Sequence, residues 1–111
     1  MELRTVNVYQ CETDEWIPLE LMARVRYIGE SFGVDALTDG KEYNIVRDKY
    51  GYPKVVDDSD EDYIYSLINP RPLDNSSVGG RFEILEDYTG EVTNLIKKGI
   101  APEYFRRVTS I

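Results

Sequence analysis

The sequence predicts a mainly β protein, namely a small five-stranded barrel with an N-terminal arm and a short C-terminal helical tail. Between residues 22 and 88, several short segments alternate apolar with polar residues, which turns one face of each segment inward. Glycine, proline and acidic turn signals separate these segments. After residue 88 the apolar residues take a helical spacing. We therefore divide this single domain into an arm (1–21), a barrel (22–88) and a tail (89–111).

The arm contains two apolar segments. Residues 5–9 alternate in the manner of a strand, so this stretch is a candidate for an extra strand. Residues 16–19 (Trp-Ile-Pro-Leu) resemble an apolar plug that ends at a proline. Because Pro18 has no backbone N–H, it argues against a central strand at this point. We expect the arm to pack on the barrel.

Five segments are predicted to form the strands of the barrel: residues 23–27, 42–45, 54–57, 62–65 and 81–85. A long loop, residues 29–40, follows the first of them. Its apolar residues Phe32, Val34 and Leu37 are expected to fold back onto the core. The loop ends in a turn at residues 39–40 (Asp-Gly), because glycine adopts a positive φ without steric penalty.

The tail carries an apolar stripe. Val92, Leu95 and Ile96 have the i, i+3, i+4 spacing of an amphipathic helix. Gly99 follows two lysines and is predicted to end this helix in the left-handed conformation. A second short helix is predicted over residues 102–108, since proline suits the first turn of a helix.

Composition and charge narrow the range of partners. The chain has 111 residues and a net charge of −8, and an acidic protein of this kind is repelled by nucleic-acid phosphates and by anionic membranes. It shows no apolar leader and no apolar run of the roughly 18 residues that a membrane helix needs. The single cysteine excludes an internal disulfide and a cysteine-ligated metal site. We expect a cytoplasmic protein that does not bind membranes, and the charge disfavours nucleic acid as a partner.

Several barrel motifs carry a family resemblance: residues 25–29 (VRYIG), 37–43 (LTDGKEY), 56–58 (VDD), 61–65 (EDYIY) and 82–87 (FEILED). With these motifs the chain resembles small, uncharacterised SH3-like barrel proteins of Gram-positive bacteria, their phages and conjugative elements. The resemblance leaves the arm and the tail outside; it implies an SH3-like barrel and no activity. The Ala-Leu-Tyr-Asp-Tyr and Trp-Trp motifs of proline-binding SH3 domains are missing, so their ligand groove is not carried over.

Two sequence patterns suggest chemistry, and neither holds. Residues 29–33 match the nucleophile-elbow pattern G-x-S-x-G, but that elbow needs a histidine to take the serine proton and the chain has no histidine. Cys11 has only Arg4 as a basic neighbour in sequence, which is too little to activate a thiol. We therefore predict no enzymatic activity, no catalytic residues and no cofactor.

The acidic run at residues 57–62 is the candidate cation site. Five of these six residues are acidic, and clustered carboxylates suit calcium. A calcium-binding EF-hand loop requires glycine at its sixth position and glutamate at its twelfth, whereas a loop that begins at Asp57 has Asp62 and Ile68 there. The run is interpreted as a solvated hairpin turn without a built metal site.

The nine tyrosines are the most useful functional signal. Tyrosine is enriched at interfaces because its ring is apolar while its hydroxyl stays hydrated. Tyr50 and Tyr52 flank a glycine-proline turn and are our predicted partner-binding residues. Tyr63 and Tyr65 share one face of the fourth predicted strand and are expected to point into the core.

These observations favour a non-enzymatic module of unknown biological role that binds a protein or peptide. The alternative is a nucleic-acid-associated or nucleic-acid-mimicking accessory protein of a mobile element. A basic groove beside exposed aromatic residues would favour nucleic-acid binding, whereas a regularly spaced acidic face would favour mimicry.

Overall fold

A computed structural model describes residues 4–99. The elements, in chain order, are β1 (Thr5–Gln10), β2 (Glu15–Gly29), β3 (Glu42–Arg47), β4 (Pro53–Val56), β5 (Asp62–Tyr63), β6 (Gly80–Asp87) and α1 (Glu91–Lys98). The mainly β prediction is confirmed, and so is the helix after residue 90. The second predicted helix, residues 102–108, lies outside the described residues.

The long strand β2 organises the sheet. From β2 the chain runs as an antiparallel meander through β3, β4 and β5, and β6 then returns to pair with β2. Residues 15–20 of β2 pair with β1, and residues 23–29 pair with β6. Because β3 occupies the opposite edge of β2, β1 and β6 lie end to end along one edge. The result is a half-barrel, β2 to β6, with β1 as an extra strand.

Two bulges interrupt the pairing of β2 with its neighbours. Against β3 the extra residue is Met22 on β2 itself, and against β6 the extra residue is Leu85 on β6. Such bulges strengthen the local twist and turn the strand. The predicted boundary between the arm (1–21) and the barrel (22–88) therefore falls inside one continuous strand, β2, at the Met22 bulge.

The predicted apolar plug at residues 16–19 is wrong, because this stretch is the first part of β2. Trp16 is 57% exposed and contacts the Tyr9 ring across the hairpin at a centroid distance of 5.4 Å. Pro18 lies opposite Asn7, and β3 pairs with β2 only from Glu20 onward. Proline is tolerated here since one edge of β2 has no strand beside it.

The core fills the concave side of the half-barrel. Tyr27 is fully buried, and its ring meets the rings of Phe32 and Phe82 edge-on, each at 6.0 Å. The core cluster comprises Met22, Ala23, Val25, Tyr27, Phe32, Leu37, Tyr43, Ile45, Val55, Leu67, Phe82 and Val92. Aromatic pairs in this arrangement add to the stabilisation that burial provides.

The loop after β2 behaves largely as predicted. Phe32 and Leu37 bridge each other and are buried, whereas Val34, at the tip, is 97% exposed, so the prediction for Val34 is wrong. The tip residue has no neighbour to pack against because the bridge already closes the loop below it. Gly40 adopts a φ of +80° and donates its N–H to the Tyr27 carbonyl at 2.8 Å, which confirms the predicted turn.

The fourth predicted strand is shorter than expected. It contains only residues 62 and 63, and the chain then leaves the sheet. Tyr65 packs on the core and donates its hydroxyl to Asp57 Oδ2 at 2.7 Å, while Leu67 is buried. These side chains cover the open side of the half-barrel. Tyr63 is 46% exposed, so its predicted core position is wrong.

The helix α1 docks on the core through the predicted stripe. Val92 is fully buried, and Leu95 and Ile96 pack against the core. The carboxylate of Asp87 accepts hydrogen bonds from the backbone N–H groups of Gly90 and Thr93, at 3.0 and 2.8 Å. It thereby satisfies donors that a helix N-terminus leaves free. Gly99 has a φ of +69°, which confirms the predicted helix end.

Candidate functional site

The turn between β3 and β4 is organised by Asp48. One carboxylate oxygen of this buried residue accepts the backbone N–H groups of Tyr50 and Tyr52, both at 2.9 Å. The other oxygen lies 3.1 Å from Lys54 Nζ. Gly51, with a φ of +89°, donates to the Asp48 carbonyl. Four contacts to one side chain and its backbone make this turn a rigid support for the two tyrosines.

The structure brings the two predicted tyrosines to one groove, which we call the turn–helix groove. It lies between the β3–β4 turn and α1 and has a volume of about 490 Å³. Its lining consists of Met22, Arg47, Tyr50, Gly51, Tyr52, Pro53, Glu91, Asn94, Leu95 and Lys98. Tyr50 is 71% exposed and Tyr52 is half-buried. Volumes of this order are typical of ligand sites, roughly 300–1,000 Å³.

Arg47 holds the two walls of the turn–helix groove together. Its guanidinium binds Glu20 at 2.8 Å and both carboxylate oxygens of Glu91 on α1. The hydrogen bond from Arg47 is the main reason why the pKa of Glu91 lies below its ordinary value. The same contacts raise the pKa of Arg47. A bidentate pair of this kind fixes orientation as well as charge.

Sequence reasoning missed the helical wall of this groove. Glu91, Asn94 and Lys98 follow the polar face of a predicted amphipathic helix, and that pattern says nothing about what lies opposite. The available signal was Glu91 itself, an acidic residue in the first turn of a helix near a strand that ends in arginine.

A second groove, the loop groove, lies between the loop after β2 and the segment after β5. Its volume is about 670 Å³, and its lining residues are Phe32, Gly33, Ala36, Tyr63, Ile64, Tyr65, Ser66, Asn69, Arg71, Pro72, Leu73 and Asn75. Arg71 is the one charged residue among them. No local pattern predicts this groove, because it forms only where two loops distant in sequence meet.

The acidic turn at residues 57–62 is engaged by protein donors. Asp57 is buried and accepts from the backbone and hydroxyl of Ser59 and from Tyr65. Asp58 accepts from Lys41, at 2.6 Å, and from Thr38 and Tyr43. The interpretation as a solvated turn is therefore wrong for Asp57.

These bonds also set the protonation of Asp58. Burial opposes its charged form, but the hydrogen bonds from Lys41, Thr38 and Tyr43 outweigh burial and hold the pKa of Asp58 below its ordinary value. Across residues 4–99, no three side chains of the types that bind metals come together as a cluster.

Ser31 of the G-x-S-x-G pattern and Cys11 are the two other residues that the sequence suggested for chemistry. Ser31 follows β2 in a loop rather than a strand-to-helix elbow, and its hydroxyl accepts the Asp39 N–H at 2.8 Å. Cys11 is exposed in the β1–β2 turn. A side-chain hydrogen bond to Glu61 is the main factor that raises the pKa of the Cys11 thiol, which disfavours the reactive thiolate.

Among the described residues, no helix has the length and apolar character needed to cross a membrane. No protein-family model, no curated protein and no solved structure matches the chain. The two grooves and the side chains that line them therefore supply the basis for a functional proposal.

Proposed function

We propose that this protein is a non-enzymatic interaction module that binds a protein or peptide through the turn–helix groove. The observation that carries the proposal is the presentation of Tyr50: the side chain is 71% exposed while its backbone N–H is held by buried Asp48. A rigidly presented aromatic residue loses little conformational entropy on binding. Tyr52, on the same groove, is the second proposed contact residue.

The fold part of the proposal is an SH3-like five-stranded barrel with an N-terminal arm and a C-terminal helical tail. Its support is the strand order: β2 to β5 form a meander, and β6 returns to the first strand of that meander. The cytoplasm is the proposed location, supported by a single cysteine that makes no disulfide within the chain.

The outer face of β6, β2 and β3 bears on the nucleic-acid alternative. Arg24 binds Glu42 and Glu86, and Arg26 lies within 3.6 Å of Glu42 and Glu83. Cations and carboxylates thus alternate on this face. Such a face offers neither a basic track for phosphates nor a purely acidic surface, so we favour a protein or peptide partner.

The test compares Tyr50→Ala with Tyr63→Ala. Both residues are exposed tyrosines, and they lie on different grooves. Each full-length protein is immobilised, partners from an extract of the native host are identified by mass spectrometry, and affinity is then measured with the purified partner. We expect Tyr50→Ala to weaken binding at least about thirtyfold, the effect of losing an interface hot spot of ~2 kcal/mol, and Tyr63→Ala to change it little.

Circular dichroism and thermal melts serve as the folding control for both variants. A partner whose affinity depends on Tyr63 and not on Tyr50 would move the site to the loop groove. Equal affinity of the wild type and both variants for every captured protein would contradict the proposed function.

A further inference from the structure

The charged residues that line the turn–helix groove are Arg47, Glu91 and Lys98, which sum to +1 in a chain whose net charge is −8. Arg47 and Glu91 pair with each other, and Glu20, which lies outside the lining, also binds Arg47. Lys98 lies on the helical wall and has no ion pair within residues 4–99. Lys49 is not part of the lining, but its ammonium lies 5.2 Å from the centre of the ring of Tyr50, a lining residue, and it likewise has no ion pair within residues 4–99.

Within residues 4–99, one cation without an ion pair thus lies on the helical wall and a second lies beside Tyr50, in a protein whose net charge is −8. At physiological ionic strength the Debye length is about 8 Å, so a bound group senses the nearby lysines more strongly than the distant carboxylates. The other two lysines outside the tail, Lys41 and Lys54, bind carboxylates of the protein itself.

The turn–helix groove also has an apolar surface that can bind an apolar side chain of the occupant. Met22 and Pro53 are buried at its base, and Leu95 and Tyr52 are half-buried beside them. This surface fits one bulky aliphatic or aromatic side chain. An apolar surface with one cation on the helical wall and another beside Tyr50 matches an apolar side chain that has carboxylates near it in sequence.

Resting on the proposed function, we propose that the occupant of the turn–helix groove is an acidic peptide segment with a bulky apolar anchor residue. The anchor packs on Leu95 and Tyr52, and flanking carboxylates pair with Lys49 and Lys98. A nucleic-acid strand is disfavoured, because single-stranded sites track about 4–16 phosphates and two cations match few of them.

The experiment selects peptides from a displayed random 12-residue library on the immobilised full-length protein. Selected peptides are then measured against wild type, the charge-reversal variant Lys49→Glu/Lys98→Glu, and the control Arg71→Glu. Arg71 is an exposed arginine on the loop groove with no ion pair in the described part of the chain. Tyr50→Ala is measured in parallel.

We expect the selected peptides to carry two or more Asp or Glu residues within three positions of a bulky apolar residue. Reversal of both lysines should weaken binding at least about tenfold, as expected for two ion pairs replaced by repulsion, and Arg71→Glu less than about twofold. Affinity should also fall as salt rises from 50 to 500 mM.

Peptides that require Tyr50 but have neutral or basic flanks would overturn this inference and leave the proposed function standing. Peptides indifferent to Tyr50, or no selection at all, would count against both. Tighter binding of an oligo(dT) probe than of any peptide would overturn the peptide class. The variant Tyr104→Ser/Phe105→Ser, which replaces two aromatic residues near the C-terminus, is screened as well. Peptide selection that fails on the wild type and succeeds on this variant would identify the chain's own C-terminal segment as the occupant instead.

Discussion

The backbone N–H of Tyr9 donates to the carbonyl of Asp60 at 3.1 Å, and this bond joins the first strand to the far end of the sheet. Two neighbouring contacts repeat the connection: Gln10 Nε2 donates to Asp62 at 2.9 Å, and the N–H of Cys11 donates to Glu61 at 3.0 Å. The N-terminal hairpin is therefore fastened to the β4–β5 turn at three points. The acidic turn anchors the arm.

A chain of contacts runs from this junction to the candidate site. Asp62, which accepts from Gln10, lies 3.7 Å from Lys54 Nζ, and the same ammonium lies 3.1 Å from Asp48. Asp48 in turn holds the backbone of Tyr50. The arm and the turn that presents this tyrosine thus share one ammonium, and the side chains of Asp48 and Asp62 are both less than a tenth exposed.

Lys54→Met is expected to destabilise the protein by about 2–4 kcal/mol, because it leaves two nearly buried carboxylates without a cation. Urea denaturation followed by circular dichroism measures the change. The matched control is the double variant Lys54→Met/Asp62→Asn, which removes one of the stranded charges and should recover part of the loss. A single variant as stable as wild type would show that the ammonium does not hold this junction.

The fold was predictable where local chemistry decides it. Alternation of apolar and polar residues, together with nearby glycine and proline turn signals, predicted β3, β4 and β6 to within about two residues at their ends. The shortened β5 was not predictable, because Tyr65 leaves the sheet to reach Asp57. Trp16 was misassigned for the same kind of reason: its partner Tyr9 belongs to another strand, and pairing between strands does not appear in local periodicity.

Gly40→Val should destabilise the protein by about 1–2 kcal/mol. Gly40 has a φ of +80° and an added Cβ would meet no atom within 4 Å, so the loss would come from backbone conformation alone. Gly40→Asn is the control, since asparagine tolerates this region and should lose less. Thermal melts compare the three proteins, and equal melting temperatures for valine and wild type would refute the conformational argument.

Stability should fall as the solution becomes acidic. The pKa of Asp58 lies below its ordinary value of 3.8 in the folded state, so this group contributes stability above that value. This contribution disappears as the pH falls through the ordinary and then the folded pKa, because the Asp58 carboxylate binds a proton more readily in the unfolded chain than in the folded one. Urea midpoints measured from pH 7 to pH 2.5 should decline below about pH 4–5.

Asp58→Asn isolates the Asp58 contribution to acid sensitivity. The amide cannot ionise, so this variant should start less stable at pH 7 and lose less stability on acidification. Asp60→Asn, an exposed neighbour in the same turn, is the control and should follow the wild-type curve. Parallel curves for wild type and Asp58→Asn would exclude this carboxylate as a source of the acid sensitivity.

Only one wall of the candidate site could be predicted from the sequence. Tyr50 and Tyr52 could be selected because they flank Gly51 and precede Pro53, a local signal for an exposed turn. Their opposite wall depends on α1, whose position follows from the Arg47 bond to Glu91 and the burial of its apolar stripe. The contact between Arg47 and Glu91 joins residues 44 positions apart in sequence, and neither segment carries a local pattern that predicts it.

Leu95→Asp is expected to release α1 from the core and destroy the turn–helix groove. Leu95 packs against the core and lines the groove, so a carboxylate there loses apolar burial and forces a charge against an apolar surface, together about 2–3 kcal/mol. An isolated eight-residue helix does not persist in water, so the helix should unfold once it is released. Hydrogen exchange should then show faster exchange at the α1 amides while the strands keep their protection.

The control is Asn94→Asp, which places the same charge on the exposed neighbour of Leu95 and should leave the α1 amides protected. Unprotected α1 amides in the wild type itself would contradict the docked helix and the groove that depends on it.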